Sequence, residues 1–349
     1  MKKGYFCVFA MMMNEKWIQS PLNYTGGKYK LLPQIMPYFP KEINTFVDLF
    51  CGGGNVGINA DCRQFVLNDS DEHIFYLFDT FKKLDKEVIF ETIQRTIAKY
   101  GLSDSTSHGY EFYGCNGSDG LGKYNKEPFL ALRQDFNEEK NRDASYYLLL
   151  YTLIIFSFNN QIRFNGEGKF NLPVGKRDFN AKMQQKLSDF IDRLKSANCS
   201  FSCVDFRDFD VSTLTEGDFV YMDPPYLITC ATYNEKDGWN ETAERDLLHF
   251  IDGLHSRGIR FALSNVLRSK GKENRILLEW VEANADRYYV KRLDYDYANS
   301  NYHTKDRDKN SEEVLIVNYY GRKAYGFTLE RVDHDAESGK DVSVFKDSK

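Results

Sequence analysis

The run "NTFVDLFCGGGNVGINADCRQFVLND", Asn44 to Asp69, decides the fold. Residues 44–51 read as a buried strand that runs into the glycines Gly52, Gly53 and Gly54. Residues 52–62 read as a glycine turn opening a helix, and residues 64–69 as a second strand that ends on an acid. Strand, glycine turn, helix, strand and acid is the opening of a nucleotide-type βαβ unit. Glycines let the backbone approach a ligand closely, and a helix N-terminus behind them offers free N–H groups and positive potential. Asp48 lies inside the first strand. Asp69, at the end of the second, is placed to take the two hydroxyls of a ribose. The spacing is not G-x-G-x-x-G, and the third glycine leads straight to Asn55, which argues against a nicotinamide dinucleotide.

Outward from that stretch the pattern changes and then returns. "KEVIFETIQRTIAKY" (86–100) and "DASYYLLLYTLIIFSF" (143–158) read as helices. Between them, residues 101–125 are rich in Gly, Ser and Asp and read as a mobile loop. "IRFNGEGKFNLPV" (162–174) reads as two short strands around Gly166-Glu167-Gly168, a hairpin. From 201 the alternation resumes. Strands are expected at 201–206, 218–223 and 259–265, helices at 241–258 and 274–285, and an antiparallel strand pair at 288–297 and 311–320. The expected architecture is α/β, a Rossmann-like sheet with an inserted, mainly helical module carrying the hairpin. Residues 15–80 and 200–325 would form one discontinuous domain, residues 81–199 the insert, and residues 326–349 a flexible tail.

Bulk composition narrows the class. The net charge is −5, so a nucleic-acid surface must be local. Residues 161–195 supply one, with eight Lys/Arg against four acids. Seven scattered cysteines form no C-x-x-C pair, and six histidines form no cluster, so no metal site and a reduced, cytoplasmic protein are expected. The leader-like start "MKKGYFCVFAMMM" is too short and lacks a cleavage motif, and Met11 to Met13 offer alternative starts. No stretch approaches a membrane span; residues 145–158 are apolar but too few.

"DFVYMDPPYLITC", Asp218 to Cys230, carries the chemistry. Asp223 follows a short apolar strand, at the end where α/β enzymes keep their reactive groups. Pro224 and Pro225 fix φ, remove backbone donors and push Asp223 out of the helical region. The product is a stiff loop presenting a carboxylate, free carbonyls and the ring of Tyr226. Such a loop suits a flat group bearing an NH2. Carboxylate and carbonyl accept its two hydrogens, which pulls the nitrogen toward sp³ and frees its lone pair for attack.

Six segments in this order complete a pattern: "SPLNYTGGKYKLLPQI" (20–35), "FVDLFCGGGNVG" (46–57), "VLNDSD" (66–71), "FLALRQDFN" (129–137), "NNQIRFNGEGKFNLPVGK" (159–176) and "YMDPPY" (221–226). Over about residues 20–320 the chain resembles the DNA adenine methyltransferase family, the D12 class of S-adenosylmethionine-dependent enzymes, in the motif order called the alpha group. The resemblance implies transfer of a methyl group from S-adenosylmethionine to N6 of an adenine flipped out of a short duplex site, GATC in the nearest hairpin relatives. It implies that Tyr24, Gly26, Gly27 and Lys28 lie against the cofactor. Asp48, Phe50 and the Gly52–Gly54 turn would hold its methionine end, Asp69 its ribose, and Asp205 and Phe206 its adenine edge. Asp223, Pro224, Pro225 and Tyr226 would grip the target adenine, with Asp223 also bordering the cofactor. The resemblance further implies that transfer would be a single in-line displacement needing no metal. Asp48 before Leu49 departs from the family's usual Glu-Pro but keeps the carboxylate, and residues 101–125 do not align.

Flipping a base leaves a hole to fill. Phe164, between Arg163 and Asn165, would be the apolar wedge, with Arg reading guanine and Asn reading adenine. Arg133, Lys169, Lys176 and Arg177 would contact phosphates, and Asn171 joins the DNA-binding set. Double-stranded DNA is the expected partner; the enzyme would be either the companion of a restriction endonuclease of the same system, with no stable complex implied, or an orphan, and a monomer or weak dimer is expected. Three alternatives stay open. A cytosine-N4 or RNA adenine methyltransferase often carries Ser-Pro-Pro or Asn-Pro-Pro and lacks the hairpin. A protein-glutamine methyltransferase would have Asn-Pro-Pro-Tyr. A DNA-binding regulator would keep the scaffold without catalysis.

Overall fold

Strand β1 (Thr45–Asp48) pairs in parallel with β2 (Gln64–Asn68), Thr45 opposite Gln64. The computed structural model describes residues 17–229, 238–294 and 311–319. Between β1 and β2 the expected helix is absent, and only a 3-10 turn, Gly57–Asn59, forms. Its groups are committed elsewhere. Gly52 and Gly54 adopt positive φ (47° and 75°), and the Gly57 amide donates to Asp48 Oδ2 at 2.9 Å. The side chains of Asn55 and Asn59 accept from Ser20 N and Ile18 N (3.0 and 2.9 Å), tying the link to the segment before it.

The first long helix follows β2 instead. Helix α1 (Glu72–Lys83) starts on Asp71, whose carboxylate accepts from His73 N. Helix α2 (Lys86–Tyr100) stops at Gly101, left-handed at φ 71°. Then come α3 (Lys126–Glu138), α4 (Ala144–Phe156) and α5 (Ala181–Ser196). Helix α4 is apolar on all sides because it is buried on nearly all of them. Among the described residues no helix is long and apolar enough to cross a membrane.

Helix α5 returns the chain to β3 (Cys199–Ser202), which pairs with β2 from Phe65↔Cys199 to Asn68↔Ser202. The strand expected at 201–206 therefore lies earlier. Asn68 ends the ladder by exchanging side-chain hydrogen bonds with Val204, which leaves Asp205 and Phe206 in a turn. Strand β4 (Phe219–Met222) inserts beside β1, and helix α6 (Glu241–Ser256) leads to β5 (Arg260–Ser269), parallel to β4. A two-residue strand, β6 (Lys272–Glu273), folds back on β5 before helix α7 (Arg275–Ala283). Strands β7 (Tyr289–Leu293) and β8 (Glu312–Val317) form the expected antiparallel pair.

The order across the sheet is β3-β2-β1-β4-β5-β8-β7. From β1 the chain winds outward to β2 and β3, and from β4 to β5 in the other direction. The crevice at the carboxyl ends of β1 and β4 is thus the topological switch point, where open α/β sheets bind ligands. Alternation along the strands fills both faces. Phe46, Phe219 and Tyr221 face one apolar cluster with α1, α2, α4 and α5; Val47, Val220 and Met222 face the other, with α6 and α7. The first cluster runs unbroken into residues 81–199, and Phe81, at the expected boundary, lies inside α1.

Two sequence readings change here. Residues 101–125 are pinned rather than loose. Asp178 accepts from Ser105 N (2.7 Å), Ser105 Oγ (2.8 Å) and Ser103 Oγ (3.3 Å), while Asn125 exchanges hydrogen bonds with Ser103. The hairpin is held by two isolated bridges, Ser157↔Val174 and Phe164↔Phe170, instead of two strands. The readings made for residues 1–16 and 326–349 fall outside the described residues.

Candidate active site

Two carboxylates flank the crevice from β1 and β2. Asp48 is 1% exposed; its Oδ2 takes the Gly57 amide, and its Oδ1 has no hydrogen-bond partner among the described residues. Burial, reinforced by the charges of Asp223 and Asp69, pushes its pKa up to about 8. A Cβ on Gly57 would lie 2.4 Å from Leu67 Cδ2 and 3.0 Å from Asp48 Oδ2, so glycine alone fits. Asp69 accepts from Gly52 N (2.8 Å) and Asp71 N (3.0 Å), and burial raises its pKa to about 6. The Tyr24 ring covers Gly52, 2.7 Å from where a Cβ would sit, and Tyr24 O takes the Gly27 amide at 3.1 Å. Gly26 turns the chain there at φ 79°.

Beside this turn Phe50, Phe206 and Trp239 form a three-ring cluster with centroids 5.5 to 5.7 Å apart. Trp239 was not anticipated from sequence. Its indole donates to Glu244, a buried carboxylate that also takes the amides of Asn265 and Asn274. Asp205 pairs with Arg207 at 3.0 Å, which in turn reaches Asp246 at 2.8 Å.

Asp223 emerges one residue beyond β4, and Lys28 meets it. Lys28 opens a short 3-10 turn, Lys28–Leu31, anchored by buried Leu31. Its ammonium is only 4% exposed and lies 2.8 Å from Asp223 Oδ2 and 2.8 Å from Gly26 O. Tyr226 donates its hydroxyl to Asp223 Oδ1 at 2.8 Å, and its ring centroid is 5.0 Å from Lys28 Nζ. Burial and the adjacent carboxylates hold the Tyr226 pKa well above its usual value, so the hydroxyl stays a donor. Glu313 of β8, also missed in the sequence, completes the group. Its Oε1 lies 3.3 Å from Tyr226 OH and 3.7 Å from Lys28 Nζ. A buried ammonium needs such partners, because desolvation alone opposes its charge.

The DNA-binding candidates lie on the hairpin and on α3. Arg163, Asn165, Lys169, Lys176 and Arg177 are exposed. Arg163 donates to Asn171 Oδ1 at 2.8 Å, Asn165 caps the turn by accepting from Glu167 N and Lys169 N, and Lys169 pairs with Glu167. Arg133 donates to Leu172 O at 2.9 Å and so braces the hairpin from α3. Phe164 is packed, stacked on His73 at 4.0 Å and near Phe136 and Phe170. The exposed ring here is Phe158, 50% accessible at the end of α4. It precedes Asn159 and Asn160, both left-handed (φ 56° and 53°), and Asn23 beside Tyr24 donates to Asn159 O at 3.0 Å.

A sequence model of the D12 class N6 adenine-specific DNA methyltransferases matches residues 24–295. The chain belongs to that family. This D12-class chain is 43% identical over 311 residues to the modification methylase StsI of Streptococcus sanguinis, across 87% of its own length and 43% of the relative's. Its likeness to the Type II methyltransferase M.FokI of Planomicrobium okeanokoites is 43% over 310 residues, with the same coverage. To the DNA adenine methylase of Escherichia coli (strain K12) it is 25% identical over 248 residues, 70% of the chain and 79% of that protein. The D12-class chain thus spans less than half the length of StsI and M.FokI.

Proposed function

We propose that the protein methylates N6 of adenine in a short duplex DNA site, using S-adenosylmethionine. The carrying observation is Asp223, presented at the switch point with Lys28 on one oxygen and Tyr226 on the other. The residues fit the cofactor's parts. Asp48 Oδ1, buried and unpartnered among the described residues, suits an ammonium; Asp69 suits a ribose diol; the Phe50, Phe206 and Trp239 rings suit an adenine. Gly52, with no side chain, lets the Tyr24 ring close directly over the turn. S-adenosylmethionine, when bound, supplies an electrophilic methyl group. Asp223 and the carbonyls of the Pro224-Pro225 turn accept the hydrogens of the target amino group, and Tyr226 holds the carboxylate and borders the base. The gain comes from positioning and from a fixed negative charge beside nitrogen as it turns positive.

For access, the base leaves the duplex. The exposure of Phe158 favours that ring as the wedge, with Phe164 as the packed support beneath the hairpin. Arg163 and Asn165 read base edges from the hairpin, with Asn171 orienting Arg163. Lys169, Lys176 and Arg177 contact phosphates. Relatives named as modification methylases support a place in a restriction–modification system alongside an endonuclease of the same specificity.

The test is to incubate the purified protein with unmethylated genomic DNA and labelled S-adenosylmethionine, then sequence single molecules for modified bases. N6-methyladenine in one short motif is the expected result, and the motif decides whether GATC is the site. Asp223→Ala should lose all label while still binding cofactor. Methylcytosine, or no label in DNA, would overturn the reading.

A further inference from the structure

Trp239 precedes Asn240, the cap of α6, so it lies outside any helix or strand that would fix its ring. A carboxylate fixes it instead. The indole N–H donates to Oε2 of Glu244, in the first turn of α6. Glu244 is wholly buried, and its Oε1 takes the side-chain amides of Asn265 (3.2 Å) and Asn274 (2.7 Å), which are wholly buried too. Neither asparagine is free to turn its oxygen toward Glu244. Asn265 Oδ1 already takes the Val266 amide, and Asn274 Oδ1 the Leu277 amide. Asn265 lies on β5, two residues past Leu263, the partner of Met222 at the end of β4, and Asn274 caps α7. Glu244 thus ties the Trp239 ring to the sheet and to a helix start.

Three donors converge on this one side chain from two sides, and a carboxylate can accept at both of its ends, whereas an amide can accept at only one. The ring it holds lies 5.7 Å, centroid to centroid, from both Phe50 and Phe206. Phe50 and Trp239 are half-buried, so the cluster offers a flat purine a stacking face. We propose that Glu244 is a positioning residue for the cofactor: it holds the Trp239 indole in the attitude in which that ring, with Phe50 and Phe206, receives the adenine of S-adenosylmethionine. The inference rests on the methyltransferase reading of the site. Glu244 acts through the ring and touches neither cofactor nor DNA.

Glu244→Gln tests this, because it keeps the shape and loses one accepting end. With its oxygen toward the two asparagines the new amide keeps two bonds, and its NH2 then meets the indole N–H donor to donor, so the ring is released. Calorimetry with S-adenosylhomocysteine, without DNA, compares wild type, Glu244→Gln, Trp239→Phe and the double variant. Glu244→Gln should weaken binding about tenfold. Trp239→Phe keeps a ring without the N–H and should weaken it at least about threefold; in that background Glu244→Gln should cost less than about threefold more. On DNA, Glu244→Gln should raise the cofactor KM about tenfold, with kcat changed less than about twofold and DNA KM unchanged. Wild-type affinity in Glu244→Gln, or the same loss in both backgrounds, overturns the proposal. Should Glu244→Gln fail to fold, Trp239→Phe decides alone, and wild-type affinity in that variant overturns it. If the wild-type protein binds S-adenosylhomocysteine but transfers no methyl group to DNA, the reading of the acceptor fails, and the binding cycle still decides the role of Glu244. Absence of binding by wild type overturns both.

Discussion

Asp48 is buried, and among the described residues its Oδ1 has no hydrogen-bond partner, which has a measurable cost. The folded protein keeps the Asp48 proton up to about pH 8, whereas an unfolded chain loses it near pH 4. Between those values the folded state binds the extra proton, so its stabilising contribution, complete below about pH 4, is lost as pH rises through about 8. Asp48→Asn removes the titration and keeps an acceptor for the Gly57 amide. The variant should gain stability over wild type as pH rises from about 6 to 8, by several °C in Tm, while binding cofactor more weakly. Parallel curves over that range would show that Asp48 is ionised in the free protein. Asp48, Asp69 and Asp223 were all legible in the sequence, because an acid closing a buried strand is a local signal. Glu313 was not. It stands in an ordinary strand opening, "EEVLIV", and its partner Lys28 is remote in the chain.

Among the elements, the hairpin and the β1–β2 link depart most from what the sequence suggested. In both, side chains claimed backbone groups that a regular element would have used. Asp48 takes the Gly57 amide and the Asn59 side chain donates to the Asn55 carbonyl, so no helix follows the glycines. Which aromatic ring of the hairpin region lies free is equally a tertiary matter. Phe164 has the better local setting for a wedge, between Arg163 and Asn165, yet α1 supplies His73 to cover it. The two rings should therefore separate on substitution. Phe164→Ala should cost about 1–3 kcal/mol of stability through lost packing. Phe158→Ala should leave stability nearly unchanged but lower the fluorescence rise of 2-aminopurine placed at the target base. The opposite assignment of effects would restore Phe164 as the wedge. At the same scale, Gly57→Ala should destabilise by about 1–3 kcal/mol, because Leu67 and Asp48 leave no room for a methyl group; urea unfolding reads this directly.

For the molecule as a whole, strand alternation in sequence did predict an α/β sheet and its antiparallel finish. Periodicity is blind to how elements share a core, and there the division at residue 81 meets a continuous apolar cluster. Phe46 and Phe65 of the sheet, Phe81 of α1, Tyr151 of α4 and Phe190 of α5 belong to one cluster. Calorimetry should accordingly record one cooperative unfolding transition rather than two. A separate low-temperature transition assigned to residues 81–199 would mark them as an independent unit.

The place of β8 bears on how the chain is made. It follows β7 in sequence but lies between β5 and β7 in the sheet. A growing polypeptide must therefore hold those two strands about two strand spacings apart, roughly 10 Å, until the missing one leaves the ribosome. Two unpaired edges stay open meanwhile, which is when a chaperone is most needed. The strand that closes them also delivers Glu313, so sheet completion and assembly of the site are one late event.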